Sequence, residues 1–336
     1  MRKNLVVLVL TAACLCPGYA FGAGAEDCRK AAEQGDAKSQ YELGKCYEFG
    51  KGVEKDQAKA VEWYRKAAEK GDATGQLAIG LCYETGKGVE KDPAKAVEWY
   101  RKAAEQGQEW AQLSLGSCYK RGLGVEADPV KAVEWFRKAA EKGVAVAQKN
   151  LGLCYALGEG VPGNIDEAVK WFRKAAEQGN ADAQYNLGFC YTSGSGVAKD
   201  PAEAVKWYQK AAEQGDANAQ FMLGACYESG EGVADNLAEA VKWYQKAAEQ
   251  GNAFAQHNLG ICYATGNGVA KDMTEAAKWT RKSAEQGVAN AQFNLGSFYA
   301  NGDGVTKDLA EAAKWYQKAA EQGHELAQKE LKTLGK

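Results

Sequence analysis

Cysteine is the residue type in this chain best able to do chemistry, and it returns on a fixed interval. Cys46, Cys82, Cys118, Cys154, Cys190, Cys226 and Cys262 stand 36 residues apart, and Phe298 takes the next place in the series. Four roles suit such thiols. A soft-metal site needs cysteines a few residues apart, as in C-x2-C, with histidines near them. Here the spacing is 36 and the only histidines are His257 and His324. A ladder of disulfides needs Cα atoms within about 7 Å, whereas equivalent points on packed helices lie about 10 Å apart. A reactive thiolate needs a cation or a helix start beside it, and these cysteines fall late in an expected helix, next to a tyrosine. The fourth role is a small buried apolar side chain, which free cysteine fills well.

Two other patterns touch on chemistry. Ser117-Cys118-Tyr119-Lys120 spells S-x-x-K, the arrangement of an acylating serine, but the companion S-D-N and K-T-G motifs are missing. "GLCYETGKG" brushes against a phosphate loop, yet Gly88 stands where Ser or Thr is required and a helix, not a strand, precedes it. No nucleophile, base and orienting group come together in the sequence. It points to no enzyme, no metal and no cofactor.

The elements that hold these residues follow one period. Trp63, Trp99, Trp135, Trp171, Trp207, Trp243, Trp279 and Trp315 keep the 36-residue spacing, so eight units fill residues 37–324 without an insertion or deletion. That period marks a solenoid. In each unit a first helix, such as "AKSQYELGKCYEF", stops at a glycine (Gly50) suited to a left-handed helix end. A turn follows in which Val53 is the one apolar residue able to tuck inward. Asp56 and its equivalents then cap a second helix, with Pro93, Pro129 or Pro201 at its first position. Glu203 completes a capping box with Asp200. The second helix buries Ala60, Trp63 or Tyr64, and Ala67, while Glu62 and Lys66 are expected to pair outside. One helix pair cannot bury its apolar face alone, so stability must come from stacking. Residues 26–36 read as an N-terminal capping half-repeat and 325–336 as a C-terminal capping helix.

Composition agrees with a soluble protein. The chain of 336 residues is 46% apolar and 26% charged with a net charge of -2. No basic block stands out, so nucleic acid is not an expected partner. Residues 1–25 differ from the rest. "MRKN" is basic, "LVVLVLTAACLC" is too short to span a membrane, and Ala23-Gly24-Ala25 offers an A-x-A cleavage site. They are expected to form a signal peptide. Thr11-Ala12-Ala13 before Cys14 lacks the large apolar residue a lipidation box usually has. The mature chain is expected to be periplasmic or extracellular, with no membrane span.

The pattern "AQ..LG.CY..G.GV..D...A..W..KAAEQG" resembles the Sel1-like repeat, a relative of the tetratricopeptide repeat with a longer inter-helix turn, over about 300 residues. The resemblance implies an all-α fold, a right-handed α-solenoid of eight 36-residue helix-turn-helix repeats whose first helices line a concave face. It implies an adaptor or scaffold that binds a protein or extended peptide. A cysteine-rich branch of the family, described as binding or hydrolysing β-lactams, is the alternative. That branch bridges two cysteines eight residues apart, where this chain has Ala68 and Gln76, and Ala104 and Gln112.

By the tetratricopeptide resemblance, the groove residues are those two before each Leu-Gly leucine and their followers. The candidates are Tyr41, Leu77, Leu113, Asn150, Tyr185, Asn186, Phe221, His257, Asn258, Phe293 and Asn294. Rings and apolar side chains offer pockets, and asparagines offer amides for a peptide backbone. The same side chains would equally suit packing between repeats. Cys28 holds the slot that Tyr64 fills in a complete repeat, with Cys46 on the next helix. Either the two form a bridge or the cap lacks a tyrosine.

Overall fold

The structure, a computed structural model, describes residues 24–335. The signal peptide expected over residues 1–25 lies outside them up to residue 23, so nothing in the structure bears on it. The described residues form α-helices joined by short turns, and they divide into two compact units, residues 24–171 and 172–335.

In the first unit, helix Gly24–Glu33 precedes three helix pairs: Ala37–Phe49 with Gln57–Glu69, Ala73–Thr85 with Pro93–Glu105, and Glu109–Arg121 with Pro129–Glu141. Ala145–Leu157 follows, and helix Ile165–Glu177 contains the unit boundary. The second unit carries the pairs Ala181–Ser193 with Pro201–Glu213, Ala217–Ser229 with Leu237–Glu249, Ala253–Thr265 with Met273–Glu285, and Ala289–Asn301 with Leu309–Glu321. Helix Glu325–Thr333 closes it. From Gly24–Glu33 to Ala145–Leu157, and again from Ala181–Ser193 to Glu325–Thr333, each helix packs on the next, so each unit is a stretch of α-solenoid.

The expected stop and start signals act as read. Gly50 ends its helix with φ 69°, and its amide returns to the Cys46 carbonyl. The backbone N–H of Asp56 donates to the Tyr47 carbonyl at 2.9 Å, closing the turn, while its carboxylate accepts from Lys59 N at 3.0 Å. The Asp200–Glu203 capping box is only half made. Asp200 accepts from Glu203 N, but the Asp200 amide donates to the Tyr191 carbonyl, and the Glu203 carboxylate holds Lys206 at 2.8 Å. The turn has already taken the amide that a capping box would use. The expected Glu62–Lys66 pair also gives way. Lys66 Nζ lies 3.9 Å above the Trp63 ring, where a cation one turn away gains from the π face.

Inside most repeats one contact sets the spacing of the pair. Gly80 faces the Tyr100 ring so closely that a Cβ there would come within 2.6 Å of it. In the first two repeats the tyrosine is the more deeply buried ring, with Tyr64 and Tyr100 buried and Trp63 and Trp99 half-buried, whereas Trp207, Trp279 and Trp315 are buried as well. Between repeats the joint is polar. Buried Gln76 donates to the Ala68 carbonyl at 3.2 Å and accepts from Gln106 at 2.7 Å. Gln220 does the same with Ala212 and Gln250. These glutamines satisfy the open carbonyl end of the preceding second helix.

Cys82, Cys118, Cys154, Cys190, Cys226 and Cys262 are buried free thiols, and Cys46 is a half-buried one. Burial pushes Cys82 and Cys118 up to about 12, and Cys226 and Cys262 up to about 11. They are protonated filler at neutral pH. Cys28 and Cys46 are also free, so the bridge raised as an alternative is not formed in the structure. The Cys28 Sγ points at the Ser39 carbonyl at 3.5 Å. Ser39 precedes Cys46 by two turns on the same helix, a rise of about 10 Å.

Candidate functional site

Helical geometry divides each first helix into a covered and an uncovered side. In Ala181–Ser193 the residues Ala183, Gln184, Leu187, Gly188 and Cys190 are buried. At 100° per residue the opposite side carries Asp182, Phe189 and Ser193, flanked by Tyr185 and Asn186. The residues expected to bind a partner therefore sit at the margins of the uncovered stripe rather than along its centre.

Their surroundings differ between the two units. In the first, Tyr41, Leu77 and Leu113 are buried, with Leu113 fully enclosed. Tyr41 packs on Tyr64 with ring centroids 5.7 Å apart. These three belong to the repeat core and offer a partner no surface. Asn150 is half-buried. In the second unit Tyr185, Asn186, Phe221, His257, Asn258, Phe293 and Asn294 are all half-buried. Tyr185 packs on Tyr208, Phe221 on Tyr244 and Phe293 on Tyr316, at 5.6 to 6.1 Å between centroids. Asn258 lies beside the Tyr244 hydroxyl. Each of these rings thus has one face in the core.

Three residues that the sequence reading passed over form the centre of the stripe. Phe189 is 51% exposed, Phe254 60% and Ile261 37%. Phe254 packs on Phe221 at 6.0 Å and continues its ring surface outward. Their signal was in the sequence: they stand three residues before and four after the ring positions, the spacing of one helix face.

The S-x-x-K residues are engaged elsewhere. Ser117 donates its hydroxyl to the Leu113 carbonyl at 2.9 Å, and Lys120 forms an ion pair with Glu159 at 2.7 Å. Neither is turned toward the other as nucleophile and base. Among the described residues no group of three or more His, Cys, Asp and Glu could hold a metal, and no helix is long and apolar enough to cross a membrane.

Stacked helix pairs of uniform length, joined by polar glutamine contacts, define a helical repeat protein. The Sel1 repeat matches residues 37–72, 73–108, 111–144, 145–180, 181–216, 217–252, 253–288 and 289–324, and the chain belongs to the Sel1 repeat family. Among solved structures it is similar to c5321, a protective antigen present in uropathogenic Escherichia coli strains, with 40% identity and a TM-score of 0.85 over 93% of this chain and 67% of that one. It is also similar to a Sel1 repeat protein from Oxalobacter formigenes, with 35% identity and a TM-score of 0.69 over 99% of this chain and 94% of that one. A comparison with curated proteins finds no match.

Proposed function

We propose that this protein is an exported scaffold that binds another protein, or an extended segment of one, on the uncovered side of its first helices. The observation that carries the reading is the exposure of Phe189 and Phe254 on helices whose other sides are sealed by neighbouring repeats. Large rings left open on a rigid stack are what a protein partner covers. The apolar N-terminal run and the A-x-A site support export, as does the similarity to a bacterial protective antigen.

The test is affinity capture from the envelope fraction of the source organism, with wild type beside a Phe189→Ser/Phe254→Ser variant. The reading expects a partner that the wild type retains and the variant loses, with both melting alike. An identical captured set from both would contradict it.

A further inference from the structure

The four first helices of the second unit, Ala181–Ser193, Ala217–Ser229, Ala253–Thr265 and Ala289–Asn301, are nearly devoid of charge. Across 13 residues each they carry no lysine or arginine and two acids in all, Asp182 and Glu228. The chain as a whole is 26% charged, and the second helices paired with these four carry at least four charged residues each. Both acids are already engaged. The Glu228 carboxylate accepts the Tyr244 hydroxyl at 2.6 Å, and Asp182 has its own partner in the first turn of its helix, where the dipole also accommodates it. The Asp216 carboxylate caps the next helix, accepting from Ala219 N at 2.7 Å. Burial lowers the pKa of His257, so its imidazole is neutral at pH 7 as well.

The uncovered side of these helices offers apolar surface and amides instead. Phe189, Phe254 and Ile261 are exposed, and Asn218 and Asn290 stand exposed in the first turns of their helices. Asn218 accepts from Asn252 Nδ2 at 3.1 Å, which ties one first helix to the start of the next. An exposed helix face ordinarily carries charge for solubility. Depletion of charge together with open rings is instead the composition of an interface core. An amide both donates and accepts, so it can serve a peptide backbone without bringing a charge. A lysine or glutamate pressed onto this face would lose its water and find no counter-charge ready for it.

Resting on the scaffold reading above, we infer that the first-helix face around Phe189, Phe254 and Ile261 takes an extended peptide segment without charged side chains, its apolar residues set among uncharged polar ones. The rings supply the apolar contact, the amides meet the backbone, and charged competitors are rejected because they would be buried unpaired. Packed helices lie about 10 Å apart and an extended chain advances about 3.3 Å per residue, so a segment crossing the helices meets a new one about every third residue. Its apolar side chains recur at that interval.

The experiment uses the full chain and three fluorescein-labelled dodecapeptide libraries with the same apolar residues at every third position. They differ only in having Gln, Lys or Glu at the positions between, and binding is read by fluorescence anisotropy. The Gln library should bind at least about tenfold more tightly than either charged library, with an affinity that does not change with salt. Phe254→Ser with Ile261→Ser should weaken the Gln library about tenfold at an unchanged melting temperature. A Lys or Glu library that binds as well as the Gln library, or better, overturns the charge matching while the scaffold reading stands. Gln-library binding that the double variant leaves intact places the peptide elsewhere and overturns the inference. If no library binds, the inference fails and the scaffold reading rests on the capture experiment alone. A sedimentation run showing a dimer that Phe254→Ser splits would mean that a second copy covers the face, and would also overturn the inference.

Discussion

Tyr64 donates its hydroxyl to the Glu48 carboxylate across the helix pair at 2.6 Å, and Glu48 is itself buried. The same bond joins Tyr100 to Glu84 at 2.5 Å and Tyr244 to Glu228 at 2.6 Å. Where the hydroxyl is absent, so is the carboxylate: Phe136 stands opposite Lys120, which reaches out to Glu159. The converse does not hold, since Tyr208 meets the Thr192 hydroxyl at 3.0 Å and Tyr316 donates to Ser297 at 3.2 Å. Removing only the donor strands a buried carboxylate, at a cost of about 1–3 kcal/mol. Tyr64→Phe should therefore lower the melting temperature by several degrees, and adding Glu48→Ala should recover most of the loss. Equal melting of wild type and Tyr64→Phe would show that the bond contributes nothing.

The thiols predict an alkaline limit. Burial holds Cys82 and Cys118 at about 12 against an ordinary 9.0. A folded-state pKa above the unfolded value means that stability is whole below pH 9 and declines between pH 9 and 12, because only the unfolded chain releases the proton there. Each such thiol contributes a slope of about 1.4 kcal/mol per pH unit in that window. The buried hydroxyls of Tyr64 and Tyr100, also raised, add to the decline above pH 10. Melting curves from pH 7 to 11 should fall steeply above pH 9, and less steeply for Cys82→Ala/Cys118→Ala. A profile that is flat to pH 11 would contradict the burial argument.

Thr280 occupies the position that Tyr64, Tyr100, Tyr208, Tyr244 and Tyr316 fill in other repeats, and it is fully buried. His257 then has no tyrosine opposite it, and its Nδ1 is buried without a hydrogen bond. Gly260 is the counterpart of the glycines that face a ring elsewhere, and here the Thr280 Oγ1 lies against it. Thr280→Tyr should raise the melting temperature, by an amount in keeping with about 2 kcal/mol for a newly buried ring. A lower melting temperature would show that the surrounding side chains have closed over the space.

Gly124 tests the joint between repeats. With φ 69°, it brings its backbone against the Pro93 carbonyl of the preceding repeat, and a Cβ there would lie 2.0 Å from that oxygen. Neither atom belongs to a flexible side chain, so the joint must open. Gly124→Ala should destabilise the protein by about 2 kcal/mol or more, whereas Gly143→Ala, with open space around its Cβ, should cost only its left-handed backbone strain, about 1 kcal/mol. Equal effects at the two positions would remove the close approach as the cause.

Much of this architecture can be read directly from residue types. A 36-residue period, aspartates at helix starts and glycines at helix ends are local signals, and each acts through one or two backbone bonds. The choice between Trp63 and Tyr64 as the central ring was not local. It depends on Gly44 in the partner helix, which leaves room for the tyrosine. The proposed binding face was legible only in part. Register places Tyr185 and Phe221 at its margin, half-buried, but Leu113 shares that register and is fully enclosed. Phe254 and Phe189 stand at positions that vary from repeat to repeat, and their exposure emerges only when the covered side of each helix is known. The glutamine joints also escaped the sequence reading. In sequence Gln76 is one more polar residue; its neighbours show it serving the carbonyl of Ala68.

Photocrosslinking in the native organism tests the central claim most directly. A benzophenone amino acid is placed at Phe254, on the uncovered side of a first helix, or at Lys242, exposed on a second helix. The account predicts a discrete protein adduct from position 254 and none from position 242. Adducts from 242 alone, or the same adducts from both positions, would contradict it.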